Sequence, residues 1–148
     1  MMTWLTERSF ANTAACLDMR RLGSQRGEAR QILKALTGES RGYLNHPVTK
    51  AWRGFEEGLA VYGLYICSEW RSRGYRDSQF EWFQQKRLEL RRYRHRYTKF
   101  PDWVNDPRVH EAMRERLMWK DPDHYCTIWP DVFEPFDEPE FPWELMAS

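Results

Sequence analysis

The sequence predicts an all-α fold: a compact single-domain helical bundle with an extended, Pro- and aromatic-rich C-terminal tail. Three observations predict it. Apolar residues in the middle of the chain recur at steps of three and four, the period of one helix face. Runs of alternating β-branched residues, which would signal strands, are almost absent. Five prolines interleaved with aromatics lie between positions 122 and 142, a stretch where no long helix can continue.

The elements follow in order. A short helix is expected over about Ser9 to Cys16, and Asp18 is a cap or turn residue for what comes next. Leu22 to Leu36 reads as a helix with Ile32, Leu33 and Leu36 on its apolar face and Gly38 as its stop. Gly23 and Gly27 weaken its first turns; they mark either a late helix start or the close approach of a neighbour. The strongest helix signal is Val48 to Arg73, with Pro47 in its first turn and Asn45 as its cap. Its stripe of Val48, Trp52, Phe55, Leu59, Tyr62, Ile66 and Trp70 is that of a central core helix, ended by Gly74. Asp77 or Ser78 starts a further helix, Phe80 to Tyr97, closed by Pro101. Asp106 and Pro107 cap and open a last helix through about Trp119. Residues 1–125 are thus expected to form the helical domain, with a basic helical insert at about 77–100, and 126–148 an acidic, Pro-rich tail.

Composition bounds the class. The 148 residues include 8 Trp, 8 Phe and 7 Tyr at a formal net charge of +1, the opposite of a disordered chain. No stretch of about 18 apolar residues is present, and no secretory signal is read at the start, so a cytoplasmic setting is expected. Cys16, Cys67 and Cys126 are odd in number and widely spaced, which argues against a disulfide framework. The small net charge hides an asymmetry. Residues 1–100 carry 19 Lys and Arg against 10 Asp and Glu, whereas residues 101–148 carry 4 against 12. Either the basic body meets a polyanion, or the acidic end packs on the body and partly neutralises it.

Two clusters point to chemistry. Arg20, Arg21, Arg26, Arg30 and Lys34 surround Glu28, and the spacing of four among 26, 30 and 34 sets three cations on one face, suited to tracking phosphates. Glu28 is either an ion-pair partner there or a general acid/base beside a bound phosphodiester. Arg91, Arg92, Arg94, Arg96 and Lys99, interleaved with Tyr93, His95 and Tyr97, form either a solvated helix face or a surface for phosphate contact and base stacking. The four histidines have no metal-ligand spacing, and nucleotide-binding and serine-hydrolase motifs are missing.

Three blocks resemble a known family: Cys16 to Gly38, Gly42 to Tyr75 and Asp106 to Tyr125. They look like the pyrimidine-dimer DNA glycosylases, the phage endonuclease V-like family, and more narrowly like a phage and bacterial branch with an LDxxRLGxQRxEA signature, here Leu17 to Ala29. The resemblance implies a compact helical DNA-repair glycosylase with abasic-site lyase activity, working without metal or organic cofactor on damaged double-stranded DNA; a monomer is expected. It implies an N-terminal Thr α-amine as nucleophile, which Thr3 supplies when translation starts at Met2 and that Met is removed. An α-amine has a pKa near about 8, so part of it is neutral at pH 7. Carried over by position, the assisting glutamate is Glu28. Arg20, Arg21, Arg26 and Arg30 would hold phosphates, His46 and Lys50 would approach the DNA, and Tyr125, with Trp129 beyond it, would help grip the duplex. The competing expectation is a non-catalytic nucleic-acid-binding helical module of phage or bacterial origin.

Overall fold

The structure is a computed structural model that describes residues 1–91 and 97–147. Among the described residues there are eight α-helices and no β-strand, as the apolar periodicity predicts. They are α1 Phe10–Cys16, α2 Met19–Leu36, α3 Pro47–Trp52, α4 Glu56–Ser72, α5 Phe80–Arg91, α6 Pro107–Lys120, α7 Pro122–Tyr125 and α8 Trp143–Met146, with a 3-10 turn at Asp102–Asn105 before α6.

Local chemistry explains each boundary. Ser9 caps α1 by accepting from Asn12 N–H at 3.1 Å. Asp18 caps α2 by accepting from Arg21 N–H, so this helix starts three residues before the expected Leu22; the cap outweighs the weak propensity of the two glycines. Gly23 faces the Trp70 ring, so the close-neighbour reading of that glycine holds. The single long helix expected from Val48 is in fact two. Gly54 takes φ +90°, a conformation open to glycine, and the chain turns between α3 and α4. The cap of α3 is also not Asn45 but His46, whose Nδ1 accepts from Val48 N–H at 3.1 Å. In α5 the described helix ends at Arg91; the rest of the expected helix and its Arg/Tyr/His run, residues 92–96, lies outside the described residues.

The core is organised around α4. Its buried Leu59, Tyr62, Ile66 and Cys67 meet α1 and α2 on one side and α5 on the other. Trp52, Tyr62, Tyr125 and Phe83 are the largest side chains wholly removed from water, and each contributes roughly 1.5–3 kcal/mol or more on burial. The segment before α1 is also interior: Thr3, Trp4, Leu5 and Thr6 are all buried. The C-terminal end closes on this segment, with Phe141 edge-on to Trp4 (ring centroids 5.6 Å apart) and Met146 buried. The tail is therefore not wholly extended over solvent. Between its anchored ends, Phe133 and Phe136 stand almost fully exposed.

The α4–α5 contact is close because Gly63 lets the Phe83 ring lie against the helix backbone; a Cβ there would sit 2.5 Å from Phe83 Cδ1. Gly63→Ala is expected to lower stability by about 1–3 kcal/mol through this overpacking, read as a lower urea midpoint. An unchanged midpoint would mean that α5 shifts freely along α4.

Candidate active site

One polar cleft gathers much of the chemistry-bearing sequence. It has a volume of about 280 Å³ and is lined by Met2, Trp4, Arg20, Arg21, Ser24, Gln25, Glu28 and Lys120. Positions 21, 24, 25 and 28 fall on one face of α2, as steps of three and four require. Lys120 arrives from the end of α6, and Met2 and Trp4 from the N-terminal segment.

The start of α2, where Arg20 and Arg21 stand, is fixed from across the fold. Tyr125 O–H donates to Asp18 Oδ1 at 2.5 Å, and Asp18 N–H donates to the same hydroxyl oxygen at 3.1 Å. Burial works against ionisation of Asp18, but the Tyr125 bond and Arg21 outweigh it and hold the carboxyl below its usual range. The N-terminal segment is fixed by Gln25. Gln25 Oε1 accepts from Trp4 N–H at 3.0 Å, and Gln25 Nε2 donates to the Met2 carbonyl at 3.0 Å and to Glu28 Oε2 at 2.7 Å. The Tyr62 hydroxyl lies 2.7 Å from Gln25 Oε1 and 2.6 Å from the Trp4 carbonyl oxygen, and shares its one proton between them. Trp52 Nε1–H donates to Thr3 Oγ1 at 3.0 Å.

Glu28 is partly buried, and burial pushes its carboxyl above the usual range. The positive charge of the terminal ammonium, the neighbouring Met2 backbone, the Gln25 amide and Lys120 pull the other way. A carboxyl so poised exchanges protons more readily near neutral pH than an exposed one. Burial pushes Lys120 down, helped by repulsion from Arg116 and Arg21. His46 is likewise held down by burial and then by the terminal ammonium. The arrangement thus offers a proton-transfer group, a chain terminus beside it, and cations for an anionic substrate.

The other expected site residues divide. Arg26 and Arg30 do not flank Glu28. Two positions along a helix is about 200° around it, so both point to the opposite side. There Arg26 pairs with Asp77 (2.6 Å) and stacks 4.4 Å from the Trp70 ring centroid, while Arg30 stacks on Trp82. Tyr125 is another correction: it is fully buried, stacked on Trp129 at 4.9 Å and bonded to Asp18, so its ring has no face left for a base. His46 caps α3 and packs edge-on against Trp143, and Lys50 is exposed. Gln25 and Lys120 were not anticipated. The spacing of three to Glu28 was a usable signal for Gln25; Lys120 meets the cleft only through tertiary packing. Among the described residues no cluster of three or more His, Cys, Asp or Glu side chains is placed to hold a metal ion, and no helix is long and apolar enough to cross a membrane.

Comparison with known families gives one match. The family model of the pyrimidine dimer DNA glycosylases matches residues 1–84, which include α1 to α4 and Glu28. The chain belongs to this family. No curated protein and no solved structure matches it. In this glycosylase-family chain the matched span carries the N-terminal segment and the α2 face of the cleft, whereas Lys120 and the acidic end lie beyond it.

The assignment of Arg26 to structure is checked by denaturation. Burial opposes ionisation of Asp77, but Arg26 and the N–H groups of Phe80 and Gln79 outweigh it and hold the carboxyl below its usual range. A depressed carboxyl adds stability that is present above the unfolded pKa of about 3.9 and lost as pH falls through the folded value. Asp77→Asn should therefore flatten the loss of stability on acidification below about pH 4. Arg26→Ala should cost about 1–3 kcal/mol at pH 7 by stripping a partner from a buried carboxylate. Parental melting of Arg26→Ala at pH 7 would show that Arg71, whose Nε lies 3.4 Å from Asp77 Oδ2, and the backbone suffice for Asp77.

Proposed function

We propose that this chain is a DNA-repair glycosylase with abasic-site lyase activity. It acts as a monomer on pyrimidine-dimer-type damage in double-stranded DNA through an N-terminal α-amine and Glu28. The observation that carries the reading is the meeting of the N-terminal segment with Glu28. Gln25 Nε2 holds both the Met2 carbonyl (3.0 Å) and Glu28 Oε2 (2.7 Å), and Met2 and Glu28 line the same cleft.

The proposed chemistry needs a neutral primary amine next to a carboxyl. Translation from Met2 followed by Met removal makes Thr3 the terminal residue. Its nitrogen is the one bonded to the Met2 carbonyl carbon, whose oxygen is held by Gln25 Nε2 at 3.0 Å. Loss of Met2, which lines the cleft beside Glu28, would uncover the otherwise buried Thr3 nitrogen on that side. The amine attacks the sugar C1′ of the damaged nucleotide, a C–N bond forms, and the base leaves with the electron pair of the glycosidic bond; the nitrogen then loses a proton and the C1′–O4′ bond opens, O4′ taking up a proton as the protonated imine forms. Loss of a proton from C2′ of the resulting imine then expels the 3′ phosphate and cuts the strand. Glu28 stabilises the cationic imine and moves the protons. Arg20, Arg21 and Lys120 at the rim hold the backbone phosphates, and Lys50 and His46 extend that contact along α3. A damaged nucleotide flips out more easily than a paired one, which favours lesions in a small polar cleft of this kind.

Two outcomes are expected. On ultraviolet-irradiated duplex, Glu28→Gln should keep affinity within about twofold and lose base excision by about 10²–10⁴-fold, because shape is kept and charge and proton transfer are not. Retained excision would remove Glu28 from the chemistry, and binding without excision by the parent protein would favour the non-catalytic binding module. Affinity should fall steeply with salt. Arg21→Ala should reduce the log–log slope by about one unit, and Arg26→Ala should leave it unchanged. Equal slopes for the parent and Arg21→Ala would place the phosphates elsewhere.

A further inference from the structure

We propose that Gln25 is the positioning residue of this site: one amide sets both the register of the N-terminal segment and the orientation of Glu28. The inference rests on the proposed amine chemistry and names the group that builds its geometry.

A primary amide has two donor hydrogens and two acceptor lone pairs. In Gln25, a residue only 1% exposed, all four are used while Met2 is in place. The oxygen takes Trp4 N–H (3.0 Å) and faces the Tyr62 hydroxyl (2.7 Å); the nitrogen serves the Met2 carbonyl (3.0 Å) and Glu28 Oε2 (2.7 Å). The amide cannot turn over without losing these bonds. Its NH2 would then face the Trp4 N–H, and its oxygen would face two acceptors, the Met2 carbonyl and Glu28. Tyr62, itself fully buried, bonds both the Trp4 carbonyl and Gln25 Oε1, so α4 locks the amide from below. The terminal segment and the carboxylate are therefore not positioned independently. Both are referred to the same amide, its oxygen holding Trp4 N–H and its nitrogen Glu28 Oε2, two bonds that do not involve Met2, and a shift of one drags the other. Reactions of this kind are sensitive to misplacement, since about 1 Å can cost about 10²-fold in rate.

A merely structural glutamine would not govern the titration of Glu28. The charged and titratable groups around that carboxyl are the terminal ammonium, Arg20 and Arg21 on α2, Tyr62 on α4, and Lys120 on α6 with Glu138 beyond it. None of them changes in Gln25→Glu. That variant keeps shape and the acceptor facing Trp4, but it sets a second carboxyl oxygen where Nε2 met Glu28. Two carboxylates at that distance share a proton, so the pair takes up a proton at a higher pH than Glu28 does in the parent.

The test uses full-length protein in three forms: parent, Gln25→Glu and Tyr62→Phe. Carbon NMR of the glutamate carboxyls follows Glu28, and borohydride trapping on abasic duplex follows imine formation. Gln25→Glu is expected to raise the Glu28 titration by about one pH unit or more and to cut trapping at pH 7 by about tenfold or more. Tyr62→Phe, which keeps the buried ring, is expected to bind duplex as the parent does and trap severalfold more slowly. Unchanged titration and trapping in Gln25→Glu overturns the proposal. Should that variant fail to fold, Tyr62→Phe decides: parental trapping overturns the proposal and slowed trapping supports it. Should the parent trap nothing, the lyase reading fails, and the Glu28 titration in Gln25→Glu alone decides for or against Gln25.

Discussion

A non-helical segment inside a helical bundle has no helix ladder to satisfy its backbone, and no water to stand in for one. Residues 3–6 are in that position, with Met2 beside them at the cleft, and the rest of the molecule is arranged to meet their demands. Gln25 and Tyr62 take the polar groups of Met2 and Trp4, Met113 Sδ accepts from Leu5 N–H, Thr13 Oγ1 accepts from Thr6 N–H, and Arg114 donates to the Thr6 carbonyl. These partners come from α1, α2, α4 and α6, so four helices are tied together by one short stretch of chain. An unmet backbone group in that place costs about 1–3 kcal/mol, which is why polar residues such as Gln25 and Thr13 are found where apolar packing would otherwise be expected. The same arrangement delivers the start of the chain to Glu28.

The acidic end of the chain has a definite place in this scheme. Arg116, next to the cleft-lining Lys120 on α6, bonds Glu138 at 2.7 Å and the Pro139 carbonyl at 2.8 Å. Phe141 then covers Trp4, and Trp143 meets His46. Both readings of the charge asymmetry thus have a physical basis. The tail packs on the body and neutralises part of it, while Arg20, Arg21 and Lys120 stay at the mouth of the cleft. The exposed Phe133 and Phe136 lie between these anchors and take no part in them.

Much of the fold was legible before the structure, because its rules are local. Ser9, Asp18, Asp106 and Pro107 mark helix starts by capping chemistry, and the stripe from Leu59 to Trp70 marks the central helix by period. The break at Gly54 was not read, since the apolar stripe runs on through it and a positive φ leaves no trace in apolar spacing. The site was legible in part. Glu28 stood out among cations, yet proximity in sequence was mistaken for proximity in space. Arg26 and Arg30 sit two residues from Glu28 and on the far side of the helix, bound to Asp77, Trp70 and Trp82. Tyr125 is expected from the resemblance to help grip the duplex; nothing local announces that its hydroxyl fits Asp18, 107 residues away. Lys120 was invisible for the same reason.

The central claim is that the reacting nitrogen is the chain's own terminal amine, held beside Glu28 by the α2 face of the cleft. The most direct measurement is to reduce the complex with abasic duplex using borohydride, digest protein and DNA, and locate the sugar remnant by mass spectrometry. The account predicts the remnant on the α-nitrogen of the terminal residue, Thr3 in protein translated from Met2. A remnant on the side chain of Lys120 or Lys50, or an adduct that survives acetylation of the terminus, would contradict it.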